Sequence, residues 1–160
     1  PFRFEKKDFF LEPMANRCSQ APWVLRKIVL PQHTDHAGVM WHGSYLSLLE
    51  EARINALAEV GLSYGDLSDE GYELPVVELQ IKYLEPLFHG ENLLLESWVS
   101  KGKGPRLRWL TNFIKDSQKS AALSKIDLVL IKRDVSGQKL LRKGPEHITK
   151  AFIDLQKGPD

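Results

Sequence analysis

One long helical pattern followed by a run of consecutive strand patterns restricts the fold of this 160-residue chain more than any other feature. Apolar residues recur at steps of three and four from Tyr45 to Val60, which predicts a helix at 43–60 that ends at Gly61. Downstream, apolar and polar residues alternate instead, and this alternation is typical of half-buried strands. It predicts strands at 75–84, 93–101, 106–115, 121–132 and 139–142.

These strands follow one another through short turns, so we expect them to pair as antiparallel neighbours. A preceding strand at 23–30 and two short helices, at 63–71 and 148–155, complete the pattern. The predicted fold class is therefore α+β, with an antiparallel sheet of about five to six strands around one long helix. One helix covers only one face of such a sheet. A second copy of the chain could bury the uncovered face or edge, so we predict a homodimer or homotetramer.

Composition restricts the compartment and the partners. The chain has the length of one domain, and we predict a single domain at 22–157 preceded by an appendage at 1–21. Its 22 basic and 21 acidic residues nearly balance, which gives no electrostatic case for a nucleic-acid partner. The single cysteine, Cys18, cannot form an internal disulfide, and no apolar run approaches the roughly 20 residues of a membrane span. We expect a cytoplasmic protein without a membrane partner.

The segment between the first strand and the long helix concentrates reactive side chains. Asp35 lies about seven residues before the helix body, too far for a simple N-cap, and Gly38 marks a turn that would present its carboxylate. Free backbone amides at a helix start can hold a developing negative charge. A carboxylate beside such a helix start suits carbonyl chemistry, and a purely structural turn acid is the alternative.

Two other motifs have structural explanations. The three histidines within 33–42 and the neighbouring Asp35 are suitable zinc ligands, but their spacing matches no familiar zinc pattern, so no metal site is expected. The residues at 61–65 read G-x-S-x-G, the motif of a nucleophile elbow, which requires a preceding strand. Because this motif follows a helix, we interpret Ser63 as a helix cap.

A basic cluster surrounds the predicted turn at 101–105. It consists of Lys101, Lys103, Arg106 and Arg108. A solvated hairpin is the favoured interpretation of this cluster. The alternative is a site for a phosphate-bearing ligand, such as the nucleotide of coenzyme A, with Arg106 as a contact.

Two blocks of residues resemble a known family. The first block is Thr34-Asp35-x-x-Gly38-Val39-x-x-His42-x-x-Tyr45, followed by Glu50/Glu51-Ala52-Arg53. It is similar to the signature of hotdog-fold acyl-CoA thioesterases of the 4-hydroxybenzoyl-CoA thioesterase type. The second block is Ile81-x-Tyr83-x-x-Pro86-x-x-x-Gly90-Glu91-x-Leu93. The resemblance covers residues 23–155 and implies the hotdog fold, an acyl-CoA substrate and a dimeric or larger protein.

The resemblance also implies roles for residues near the helix start. Asp35 corresponds to the family's catalytic acid, which acts either as a general base or as a nucleophile on the thioester carbonyl. The backbone N–H of His42, together with that of Gly43, corresponds to the oxyanion donor. Coenzyme A is then part of the substrate, and no separate cofactor is expected.

The acyl pocket is expected to form between two subunits. Trp41 and Tyr45 would line it together with a partner strand around Val77. Such a pocket suits an aromatic acyl group as well as a short aliphatic one.

Several alternatives remain open. His33 occupies a position at which the family often has a second acid, two residues before Asp35. The run His42-Gly43-Ser44 also resembles another hotdog thioesterase pattern, in which the helix residue Glu51 is the catalytic acid. A non-catalytic hotdog dimer that binds an acyl or aromatic ligand is a further alternative. The motifs of a hotdog dehydratase or hydratase are not found.

Overall fold

The computed structural model describes residues 20–160, so nearly all of the predicted appendage at 1–21 lies outside the described residues and the domain boundary stays a prediction. Among residues 20–160, no helix is long and apolar enough to cross a membrane. The strands are β1 Trp23–Ile28, β2 Tyr72–Glu73, β3 Val76–Tyr83, β4 Asn92–Lys101, β5 Leu107–Lys115, β6 Ser120–Leu128, β7 Leu130–Asp134 and β8 Gly137–Leu141. The α-helices are α1 His42–Glu59, α2 Tyr64–Asp69 and α3 Glu146–Lys157.

Five strands form one antiparallel sheet in the order β1-β4-β5-β6-β3. The register is continuous through its middle, where Thr111 of β5 pairs with Ser97 of β4 and with Ser124 of β6. Strands β2, β7 and β8 form a second, three-stranded antiparallel sheet. The predicted α+β class, an antiparallel sheet with one long helix, is confirmed.

Helix α1 lies across one face of the five-stranded sheet. Its Glu51 forms an ion pair with Lys27 of the edge strand β1, and its Tyr45 packs against Tyr83 of the opposite edge strand β3. Alternate residues of β4 from Leu93 to Val99 are buried, as expected for a strand with one face toward the core. The helix therefore covers the sheet from one edge to the other.

The segment at 121–132, predicted as one strand, forms two strands in two different sheets. Strand β6 pairs with β3 as far as Leu128, and β7 then pairs with β2. Between them, the N–H of Val129 donates to the carbonyl oxygen of Pro75 at 3.2 Å. The ladder ends there because a proline has no N–H to donate in return. The single-strand prediction is wrong because an unbroken apolar run hides this change of partner.

Strand β3 forms an exposed edge with apolar side chains. Val77 is 48% exposed and Tyr83 is 53% exposed, and Val76 and Leu79 are also exposed. Free backbone groups and apolar side chains on an edge strand favour pairing with another strand. We call residues Val76–Tyr83 the β3 edge.

Candidate active site

A tight turn holds Asp35 in front of helix α1. The Asp35 N–H donates to the Val39 carbonyl oxygen at 2.8 Å, and the Gly38 N–H donates to the Asp35 carbonyl oxygen at 3.0 Å. Gly38 has φ +77°, a left-handed conformation that glycine adopts without strain. The carboxylate oxygen Oδ1 accepts from the N–H groups of Ala37 (2.8 Å) and Val39 (3.2 Å). No described residue donates to Oδ2, and the side chain is exposed, so this oxygen faces solvent.

The first amides of α1 are open. The N-cap residue is Trp41, whose side chain cannot accept a hydrogen bond, and the first turn contains no acid. The Ser44 N–H donates to the Trp41 carbonyl oxygen at 3.0 Å. Within residues 20–160, no acceptor is found for the N–H groups of His42 and Gly43. Two unpaired donors at the positive end of a helix dipole are suited to binding an anion.

His33 ties the turn to the helix start. Its carbonyl oxygen accepts from the Trp41 N–H at 3.1 Å and from the Ser44 hydroxyl at 2.9 Å. Its ring nitrogen Nδ1 accepts from the Leu30 N–H at 3.1 Å. These bonds fix the position of the Asp35 turn relative to the open amides.

Asp35 and the helix start share a cleft of about 490 Å³. The walls come from the turn, from the first residues of α1, and from the end of β3 with the loop after it. The lining residues are Asp35, Val39, Met40, Trp41, His42, Tyr45, Tyr83, Leu84, Glu85 and Pro86. Three predicted site residues, Asp35, Trp41 and Tyr45, therefore lie in one cleft with the helix start at His42.

Tyr45 forms the floor of this cleft. It is 3% exposed, and its ring lies edge-on to Tyr83 and tilted against Phe113, with ring centroids 5.0 and 5.2 Å away. Burial raises the pKa of Tyr45 to about 12, with smaller contributions from Tyr83 and Glu91. The phenol is neutral at physiological pH, as an ordinary tyrosine is, and the raised pKa keeps it neutral at higher pH as well, so it brings no negative charge to the cleft.

Trp41 and Gly43 are packed against each other. The indole of Trp41 covers Gly43 so closely that a Cβ there would lie within 2.6 Å of three indole carbons. The indole also contacts the ring of His42 edge to face, with centroids 5.1 Å apart. A larger residue at position 43 would thus have to displace the indole of Trp41.

Two other predicted site residues lie elsewhere in the chain. Val77 is on the β3 edge and does not line the Asp35 cleft. The Arg106 guanidinium donates to Glu78 at 2.7 Å and to Asp127 at 3.2 Å. These hydrogen bonds, that to Glu78 first, raise the pKa of Arg106. The alternative catalytic acid, Glu51, forms its ion pair with Lys27 at 3.0 Å and is also outside the cleft.

The basic cluster at the β4–β5 turn belongs in part to an ion network on the sheet. Arg108 binds the fully buried Asp127 through Nε (2.7 Å) and Nη2 (2.8 Å), a bidentate geometry. The hydrogen bonds from Arg108, with those from Arg106, hold the pKa of Asp127 below its usual value. Arg108 thus has a structural partner in the sheet.

The histidines near Asp35 occupy separate environments. His33 uses Nδ1 as an acceptor, His36 is exposed in the turn, and the ring of His42 packs on Trp41. Across residues 20–160, no three metal-ligating side chains cluster together. Tyr83 and Ser44 were not among the predicted site residues. Tyr83 is part of the second block of the resemblance, but the role of Ser44 depends on a bond to His33 that no local pattern indicates.

The sheet order, the single long helix across the sheet and the position of the cleft define the hotdog class of fold. A family model described as "Thioesterase-like superfamily" matches residues 29–152. The chain belongs to this superfamily, and it is a thioester hydrolase.

Relatives and solved structures agree with this class. A Synechocystis protein named as an esterase is 34% identical over 130 residues, which are 81% of this chain and 77% of that protein. A 1,4-dihydroxy-2-naphthoyl-CoA hydrolase of Thermosynechococcus vestitus is 38% identical over 61 residues, which are 38% of this chain and 42% of that protein. The DHNA-CoA thioesterase structure from Staphylococcus aureus has a TM-score of 0.72 at 25% identity, covering 81% of this chain and 87% of that one.

A second Staphylococcus aureus structure, solved in complex with CoA, has a TM-score of 0.76 at 16% identity and covers 88% of each chain. This similarity shows the fold alone. The family model and the relatives named as hydrolases support acyl-CoA thioester hydrolysis for this chain at the level of its family.

Proposed function

We propose that this protein hydrolyses an acyl-CoA to a free acid and coenzyme A, with the reaction at the Asp35 cleft. One observation carries the proposal: Asp35 presents an unpaired carboxylate oxygen in the same cleft as two unpaired helix amides. Thioester hydrolysis needs both an oxyanion donor and a group that activates or replaces water.

The amides of His42 and Gly43 would stabilise the oxyanion. The thioester carbonyl oxygen would accept from these N–H groups, and the dipole of the 18-residue helix α1 would favour the negative charge that develops on it. Loss of one such donor typically costs about 3 kcal/mol of transition-state stabilisation. The helix start therefore contributes through its backbone, and the side chain of His42 is not required for this step.

Asp35 would supply the nucleophile. As a general base, its carboxylate would take a proton from a water that attacks the carbonyl carbon. As a nucleophile, it would form a mixed anhydride that water then opens. In either route the carbon–sulfur bond breaks and coenzyme A leaves as a thiolate. No cofactor takes part in either route.

A second copy of the chain would complete the acyl pocket. The exposed β3 edge supports pairing of two β3 strands, because its apolar side chains and backbone groups are open. The partner's Val77 would then lie near Trp41 and Tyr45, as the sequence predicts. The homodimer, or a homotetramer of two such dimers, is part of the proposal.

The nucleotide end of coenzyme A would contact basic side chains at the protein surface. Arg106 lines a separate cavity of about 410 Å³ with Lys101, Arg142 and Lys143. This cationic lining supports Arg106 as a phosphate contact, in addition to its ion pairs within the sheet.

Release of free thiol from acyl-CoAs, followed with a thiol reagent, tests the activity. Short aliphatic and aromatic acyl-CoAs form the panel. The proposal predicts thiol and free acid in equal amounts for at least one of them. Binding of acyl-CoAs without any release would instead favour the non-catalytic ligand-binding dimer.

A matched pair of isosteric variants tests the catalytic acid. Asp35→Asn keeps the size of the side chain but removes the base, so kcat should fall by about 100-fold or more. Glu51→Gln should change kcat by less than threefold, because Glu51 is bound to Lys27 outside the cleft. Full activity of Asp35→Asn together with an inactive Glu51→Gln would reverse this assignment.

A further inference from the structure

Arg53 of helix α1 is a buried cation that has no counterion among residues 20–160. It is 6% exposed, and its Nε has no hydrogen-bond partner. Within residues 20–160, no carboxylate lies within ion-pair distance of its guanidinium. Buried charges in proteins are usually paired, because an unpaired one loses its hydration without compensation. Arg53, with its Nε buried and unpaired and no carboxylate beside it within residues 20–160, therefore offers a place for an anion.

Arg53 lines a cavity of about 440 Å³ on the β3 side of α1. We call this the Arg53 cavity. Tyr64 and Tyr72 contribute hydroxyl-bearing rings to it, and Pro75 and Val76 contribute apolar surface. This lining combines an apolar body with a few polar groups, which is typical of a small-molecule site.

Two carboxylates also line the Arg53 cavity, and neither neutralises Arg53. Glu73 accepts from Arg133 at 2.8 Å. Glu50 is exposed and lies beyond ion-pair distance from Arg53. Glu51, which follows Glu50 in the chain, is bound to Lys27 of β1. The cavity therefore retains an uncompensated guanidinium.

The Arg53 cavity and the Asp35 cleft lie at opposite ends of the β3 edge. Val76, the first residue of β3, lines the Arg53 cavity, and Tyr83, the last, lines the Asp35 cleft. Antiparallel pairing of two β3 strands about their midpoint sets Val76 opposite the partner's Tyr83. In such a dimer, the Arg53 cavity of one protomer adjoins the Asp35 cleft of the other.

We propose that the Arg53 cavity is the far end of the acyl pocket and that Arg53 binds a carboxylate at the end of the acyl group. The substrate class is then the CoA thioester of a dicarboxylic acid. A guanidinium fork binds a carboxylate through two parallel hydrogen bonds, which a neutral acyl chain cannot accept. This inference rests on the proposed acyl-CoA hydrolysis and on the β3 dimer.

The first experiment compares acyl-CoAs that differ only in the terminal group. Glutaryl-CoA and valeryl-CoA both carry five-carbon acyl groups, and kcat/KM is measured for each. Wild type should prefer glutaryl-CoA. Arg53→Met should lower kcat/KM for glutaryl-CoA by about 100-fold and change that for valeryl-CoA by less than threefold. Arg26→Met, which removes an exposed arginine of β1, is the control and should change neither.

The second experiment does not depend on catalysis. Without ligand, Arg53→Met should melt a few degrees above wild type, because it removes an uncompensated buried charge. Millimolar glutarate should raise the melting temperature of wild type and not that of Arg53→Met. Arg53→Lys, which keeps the charge but loses the fork, should show a reduced shift.

The outcomes separate the two proposals. Hydrolysis of valeryl-CoA with an equal effect of Arg53→Met on both substrates would overturn the carboxylate site and leave the thioesterase function intact. If no acyl-CoA is hydrolysed, the proposed function fails, and the glutarate shift alone decides whether Arg53 binds a carboxylate. A less stable Arg53→Met that dissociates to monomers would show that a partner residue binds Arg53, which also overturns the inference.

Discussion

Helices α1 and α2 begin in opposite ways. At α2, the hydroxyl of Ser63 accepts from the Asp66 N–H at 3.1 Å and donates to the Asp66 carboxylate at 2.6 Å. At α1, Trp41 occupies the N-cap and offers no side-chain acceptor. A capped start satisfies its amides within the helix, whereas the start of α1 leaves them for another group.

The two helices differ in what stabilises them. Helix α2 has six residues, and only Leu67 is buried, so it depends on its cap. Helix α1 has 18 residues with a long buried face against the sheet. Because packing against the sheet stabilises α1, the helix does not need a cap on its first turn. The difference identifies the helix start at which a ligand can bind.

A capping residue at the start of α1 should remove this difference, and it has the largest expected effect among changes at the two helix starts. In Trp41→Ser, the new hydroxyl can accept from the Gly43 N–H and compete with the substrate oxyanion. Relative to Trp41→Ala, we expect kcat/KM about tenfold lower and a free energy of unfolding about 1 kcal/mol higher. Thioesterase assays and urea denaturation of the two variants measure both quantities.

Trp41→Ala is the matched control, because both variants lose the indole that covers Gly43. They differ by one hydroxyl. If Trp41→Ser is as active as Trp41→Ala while being more stable, then the open amides do not act on the reacting carbonyl.

Removing the cap of α2 should lower the stability of the protein without changing its activity, which is a smaller effect than capping α1. Ser63→Ala loses the acceptor for the Asp66 N–H and should lower the free energy of unfolding by about 1 kcal/mol. The activity should not change, because Ser63 does not line the Asp35 cleft. Ser47→Ala, at an exposed position of α1, is the control and should leave the stability within about 0.5 kcal/mol. A loss of activity in Ser63→Ala at unchanged stability would contradict this assignment.

The features that follow local rules were predictable from the sequence. Residue periodicity predicted the long helix and the antiparallel strands. The cap at Ser63 was predicted from its position after Gly61, and the turn at Asp35 from the nearby Gly38. In each case the physical cause lies within a few residues of the feature.

The features that depend on distant partners were not predictable. The change of sheet after Leu128 depends on Pro75, more than 50 residues earlier. The hydrogen bonds of Arg106 depend on Glu78 and Asp127, which lie in two other strands. The unpaired state of Arg53 is a property of the assembled cavity. A side chain's charge can be read from the sequence, but its partners depend on the fold.

Tyr45, in the first turn of α1, should make the stability of the protein fall at alkaline pH. The pKa of Tyr45 is about 12 in the folded protein, against 10.0 for a free tyrosine. A raised pKa contributes stability that is fully present below pH 10.0 and is lost as the pH rises through about 12. Urea denaturation between these pH values should show the loss in wild type, and Tyr45→Phe should lack this contribution. Tyr64→Phe, in the first turn of α2, is the control and should keep it.

A Tyr45→Phe variant that keeps the full wild-type slope would show that burial does not hold this phenol neutral. The charge on Tyr45 also affects the open amides at the start of α1. An ionised Tyr45 would place a negative charge in the Asp35 cleft, next to the open amides of α1. Tyr45 is protonated at physiological pH, as an ordinary tyrosine is, and burial extends this neutral form toward pH 12, so the amides face a neutral wall on that side. In the proposed reaction, the positive end of the α1 dipole is then available to the oxyanion of the substrate.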